Sequence, residues 1–264
     1  NIKNNFVFSN NKLLIKYKDK NLSINGSGNV LSQKNNDNLI YTINKKDKNI
    51  DFKLTLKVND NPILIDLLNY EKKQNNKAIV EIQGSKVEND KLQIKSFDLI
   101  DGKNKIAIKD LVLNSKFEIL NLEKIILDYV DNQKQKNFVK IIKKKNEYFL
   151  DGSSFNANKL IDNLLDGDDN SNKLKINTKI NINIDKIYLD NQYNLSNFIG
   201  SISFKNDEII KANLNGSFPD NKKLKFTVNT SDNNKITTLF VDKAESIVKR
   251  YKFIKGFDKG SLDF

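Results

Sequence analysis

Carboxylates, lysines and hydroxyls are the main reactive groups of this chain. Its 264 residues hold 33 Asp and Glu against 45 Lys and Arg, with no Cys, His, Met or Trp. Thiol and imidazole nucleophiles, disulfides and metal sites built on N or S ligands are therefore excluded. What remains is oxygen chemistry: a hard cation or an acid/base pair. Asp162, Asp166, Asp168, Asp169 and Asn170 hint at calcium. They lack the Gly and closing Glu of an EF-hand, so a solvated acidic loop is the better reading. No spacing singles out two carboxylates as a catalytic dyad, and an enzyme is the least supported class. Gly26-Ser27-Gly28 faintly echoes a phosphate loop but has no third Gly and no following amphipathic helix. A bulge or bend inside a strand explains it better.

The net charge of +12 comes almost entirely from lysine, Arg250 being the sole arginine. A dedicated nucleic-acid surface uses Arg for its bidentate geometry, so the charge argues only weakly for DNA or RNA. It is mildly favourable for an anionic membrane surface. The run Lys143-Lys144-Lys145 reads first as a hairpin tip that blunts a sheet edge, and second as a lipid-headgroup patch.

The elements that must position these groups are strands. In Lys173–Asp185, Leu174, Ile176, Ile180, Ile182 and Ile184 take the even positions, interrupted only by Thr178, while Lys, Asn and Asp take the odd ones. Period-two alternation gives a strand with one greasy and one wet face. Phe52, Leu54 and Leu56 alternate in the same way, as do Ile202 and Phe204, and Leu224, Phe226 and Val228. About eighteen strands are predicted, joined by tight polar turns. Ile63–Tyr70 fits either a helix or a strand, with strand preferred. Phe117–Leu122 and Ile125–Tyr129 are expected as two separate short strands. Two short helices are predicted, over Phe155–Asp166 and from a capping box of Asp242 and Glu245 onward. The fold class is all-β, mainly antiparallel, with two short helices. Long strands and few Pro favour a twisted sheet curled into an elongated trough over a compact sandwich. Residues 1–150 form a meander and 151–264 a second segment. With no initiator Met, signal peptide or membrane-crossing run, the chain reads as a piece of a longer protein.

Leu239–Phe264 combines a strand, Asp242, Ala244, Ile247, Tyr251, and turns at Gly256 and Gly260. Asp151, Gly152 and Phe155 form a second element before a helix. Together they resemble the C-terminal region of AsmA-like bacterial envelope proteins, the AsmA, YhdP and TamB type; Lys259 stands where relatives tend to place Gly. The resemblance implies an inner-membrane anchor outside this piece, a periplasmic location and a possible outer-membrane partner. It implies carriage of phospholipid acyl chains in an apolar groove and a part in outer-membrane homeostasis. No cofactor and no nucleic acid are expected. The groove candidates are the thirteen apolar residues of the alternating strands named above. The competing reading is a ligand-free structural stalk or adhesin segment with a closed dry core.

Overall fold

The computed structural model describes residues 7–32, 35–87, 91–165, 177–206, 208–231, 234–245, 247–248 and 261–263. It is mostly β, with one helix, and mainly antiparallel, and the chain divides into two compact units, Asn1–Asn132 and Gln133–Phe264.

In the first unit β1 (Val7–Lys18), β2 (Asn21–Ser32), β3 (Asn35–Lys46) and β4 (Asn49–Val58) form successive antiparallel hairpins. A short excursion follows: β5 (Ile63–Ile65), a 3-10 turn at Asp66–Leu68, and β6 (Tyr70–Lys72), with β5 paired to β6. β7 (Ala78–Val87) returns to lie beside β4. β8 (Lys91–Asp101), β9 (Asn104–Leu113) and β10 (Ile119–Val130) complete the meander. Its order is linear, and among the described residues β1 pairs with β2 alone. At ~3.3 Å per residue these strands are about twice the ordinary length.

Three expectations change here. The stretch expected as one strand over Ile63–Tyr70 is a hairpin, turned at Asn69, whose φ of 51° is left-handed; Asn tolerates that region better than most residues. The two strands expected over 117–129 are the single β10. Its register shifts between Ile119 and Asn121, and this irregularity breaks the alternation that marks a continuous strand. Gly26 and Gly28 do not bulge β2, whose register with β3 is unbroken. The irregularity lies across from them in β1, between Ser9 and Lys12. A Cβ on Gly26 would meet the tip of the Tyr41 ring, which lies over the glycine from the neighbouring strand.

The second unit runs β11 (Lys136–Lys144), β12 (Glu147–Asn156), α1 (Asn158–Leu165), β13 (Thr178–Tyr188) and β14 (Asn194–Lys205). It continues with β15 (Glu208–Ser217), β16 (Lys223–Ser231), β17 (Asn234–Val241) and β18 (Leu262–Asp263). β12 and β13 are parallel; the other paired neighbours in this unit are antiparallel. The helix explains the exception: a connection that carries the chain back to the starting end makes the next strand parallel.

That helix starts later than Phe155, because Phe155 and Asn156 are still paired with Ile187 and Tyr188. Asn156 then ends the strand, its Oδ1 accepting the Asn158 N–H at 3.1 Å. The residues expected as a separate strand at 186–189 largely continue β13, whose predicted opening at 173–176 lies outside the described residues. Of the second expected helix the described residues show one turn, with the Ile247 and Val248 N–H groups donating to Ala244 O at 3.0 and 2.8 Å. Asp242 has a different task from the expected cap: its Oδ2 accepts the Lys223 N–H at 2.7 Å, tying β17 to β16.

Candidate functional site

Residues opposite one another in a ladder stand on one face, so side-chain rows can be followed across a sheet. In the first unit one row passes through Leu13, Gly26, Tyr41 and Leu54, then Ile82, Phe97, Ile108 and Ile125. The adjacent row holds Ile15, Ile24, Ile43 and Phe52, then Gly84, Ile94, Leu111 and Leu122. A third runs from Gly28 through Leu39, Leu56 and Val80 to Leu99, Ile106 and Leu127. Apart from the Tyr41 hydroxyl, no polar side chain enters these rows. Yet the face is only partly covered: Phe52, Leu54, Leu56, Ile82 and Phe97 are half-buried, and Leu13 and Ile15 are more than half exposed.

One end of this face is sealed. Leu99, Ile106 and Leu127 are buried, and beyond them two acids, Asp37 and Asp101, occupy dry-face positions. The β4–β7 excursion supplies their partners. Asp37 accepts from Asn59 N–H at 3.0 Å and from Asn61 Nδ2 at 2.8 Å. Tyr70 donates to Asp101 Oδ2 at 3.1 Å, and Tyr129 donates to Leu68 O at 2.7 Å. The two tyrosine rings meet edge to face at 5.6 Å. Lys72, fully buried, donates its ammonium to Asn61 O at 2.6 Å and Asn59 O at 3.0 Å. Burial pulls the Lys72 pKa down while Asp37, Asp101 and Asp60 oppose it, and the net direction is downward. Burial pushes the hydroxyls of Tyr70 and Tyr129 up, with help from Asp101 and Asp131 respectively. Charge buried at this density persists only when paired and hydrogen-bonded. Sequence reasoning missed the whole seal; the one signal it offers is the turn at Pro62 beside an apolar stretch of ambiguous period.

The second unit builds a like face. Ile141, Leu150 and Ile182 continue through Gly200, Leu214, Phe226 and Leu239. The neighbouring row is Tyr148, Ile180, Ile202, Ala212, Val228 and Thr237. Ile180, Ile182, Ile202, Phe204 and Phe226 are half-buried. Ile184 and Val228, at 1% and 2% exposure, and Leu224 at 8%, are packed by protein. Leu174 and Ile176 lie outside the described residues.

Asp151 is exposed on β12 and accepts a long 3.5 Å bond from Asn183 Nδ2, and Phe155 is half-buried. Gly152 pairs with Val139 and Ile184, where a Cβ would strike the Phe138 carbonyl. Ala244 is fully buried beside Ile247 and Val248 in the sequence. Tyr251, Gly256 and Gly260 lie outside the described residues, as does the acidic run 166–170. Among the described residues no group of His, Cys, Asp and Glu is placed to hold a metal ion. Lys143, Lys144 and Lys145 do form a hairpin tip between β11 and β12, with the Lys144 ammonium 4.7 Å from the Phe149 ring centroid. Since β12 is also paired to β13, the tip stands at a strand end and does not run along a β12 edge.

Fold and site together define a class: long-stranded, mainly antiparallel sheet units that carry one apolar face without a described second layer over its middle. Comparison with protein-family models, curated proteins and solved structures gives no match.

Proposed function

We propose that the apolar face of each unit shields lipid acyl chains, as part of an inner-membrane-anchored, periplasmic AsmA-like protein serving phospholipid transport and outer-membrane homeostasis. The observation that carries this reading is the set of three adjacent apolar rows in the first unit, left half-exposed along their middle. Contiguous apolar surface of that extent is rarely left to water in a soluble protein and marks a binding surface. Each methylene fully taken out of water gains ~0.8 kcal/mol, so one acyl chain binds weakly and reversibly while the two chains of a phospholipid together bind firmly. In this reading the face curls into a trough, a second helix continues past Val248, and the work is carriage without a catalytic step. The AsmA-like resemblance of Asp151–Phe155 and Asp242–Gly260 supports it from the sequence side.

Burial of Ile184, Leu224 and Val228 favours a second reading, a structural β segment whose face is closed by its own side chains. Native mass spectrometry of protein expressed in a bacterial periplasm, with lipid extraction from the same sample, separates the two. Co-purified phospholipid that is lost on Ile180→Asp with Ile182→Asp, while circular dichroism is unchanged, supports the groove. A folded, lipid-free wild type supports the structural segment.

A further inference from the structure

Charged side chains on the first unit's dry face are few, and they are sorted by end. Asp37 and Asp101 lie at the sealed end, hydrogen-bonded to Asn61 and Tyr70. At the opposite end the face carries two lysines. Lys45 and Lys86 sit opposite Ile50 on either side, in the row next to Ile43, Phe52 and Gly84. Both are exposed. Their strands are separated by one strand, so their backbones stand ~10 Å apart. Two flexible lysine stems can bring their ammonium groups together over that span.

We infer that Lys45 and Lys86 form a headgroup site for an anionic phospholipid whose acyl chains run along the apolar rows toward the sealed end. The inference rests on the lipid-shielding function proposed above and adds the class of lipid. Charge complementarity carries it. An amphiphile lying on this face with its tails toward Leu99 and Ile106 places its headgroup phosphate between the two lysines that the strands carry on this face at the open end, beside the turns Asp19-Lys20 and Asp47-Lys48. A headgroup with net negative charge pairs with both, whereas a zwitterionic one brings its own cation against them. Lys143 repeats the placement in the second unit, on the dry face opposite Tyr148.

The test incubates the purified chain with vesicles of phosphatidylglycerol or of phosphatidylcholine carrying identical acyl chains. Lipid retained by the re-isolated protein is then measured by native mass spectrometry in moderate salt. Wild type is expected to retain phosphatidylglycerol about tenfold better, which is about 1.4 kcal/mol. Lys45→Glu with Lys86→Glu is expected to erase the preference while keeping the phosphatidylcholine level. Lys53→Glu with Lys57→Glu changes the net charge equally from the wet face of β4 and is expected to keep the preference. A preference that survives the first pair, or falls equally with the second, overturns the headgroup site. Equal retention of both lipids by wild type also sinks it but leaves the lipid-shielding function standing. Retention of neither by folded protein overturns both.

Discussion

Lys72→Met tests the polar seal of the first unit. The substitution keeps the length of the stem and removes the ammonium that donates to Asn61 O at 2.6 Å and Asn59 O at 3.0 Å. Hydrogen bonds from a charged donor contribute ~1.5–3 kcal/mol net each. The lysine's own desolvation, relieved in the variant, opposes this loss and outweighs the attraction of the neighbouring acids, which is why the Lys72 pKa lies low. Removing one member of a buried charged cluster generally costs ~3–5 kcal/mol, because what it faced is left uncompensated. A loss of about 3 kcal/mol is expected. Urea denaturation gives the total, and amide exchange over Tyr70–Lys72 and Asn59–Asn61 localises it. The pH dependence is a second, independent readout. Because the folded-state pKa of Lys72 lies below the ordinary 10.5, the folded state gives up this proton earlier than the unfolded chain. Stability from this group therefore rises as pH climbs from the lowered value to 10.5, and the gap between wild type and variant widens across that window. Lys105→Met, which removes an ion pair between a half-exposed lysine and Asp98 on the wet face, is the control and is expected to cost under ~1 kcal/mol. A Lys72→Met loss no larger than the control's, with exchange of the excursion unchanged, would refute the seal as described.

Tyr129→Phe removes a hydroxyl whose folded-state pKa is raised above the ordinary 10.0. Wild type holds that stability below pH 10 and loses it as pH rises beyond. The variant, about 1 kcal/mol less stable at pH 7, is expected to fall less steeply above pH 10 in thermal melts. Gly200→Ala places a Cβ against the Asn213 carbonyl at a φ of 147°, and should cost at least ~2 kcal/mol by urea titration. Asn69 holds a φ of 51° and its buried Nδ2 has no hydrogen-bond partner among the described residues. Asn69→Gly is accordingly expected to be neutral within ~0.5 kcal/mol while Asn69→Ala costs ~1 kcal/mol; equal losses in both would show that the amide is bonded after all.

The regularly alternating strands, and which of their side chains share a face, are legible in the sequence; the β5–β6 hairpin and the irregular β10 are not. Alternation in Phe52, Leu54 and Leu56, or in Ile180, Ile182 and Ile184, is a local property, because a pleated backbone sends successive Cβ atoms to opposite sides whatever lies beyond. What covers that face depends on packing by segments distant in the chain. Ile182 and Ile184 are indistinguishable by period, yet one is half-buried and the other is sealed. Tertiary structure also decided that β13 runs parallel to β12, since the direction of return depends on how a helical connection packs. It brought Asp37, Lys72 and Asp101 into one buried cluster across more than sixty residues of sequence. Charged residues give no local sign of being inside, because their burial is stable only with partners that the chain supplies from elsewhere.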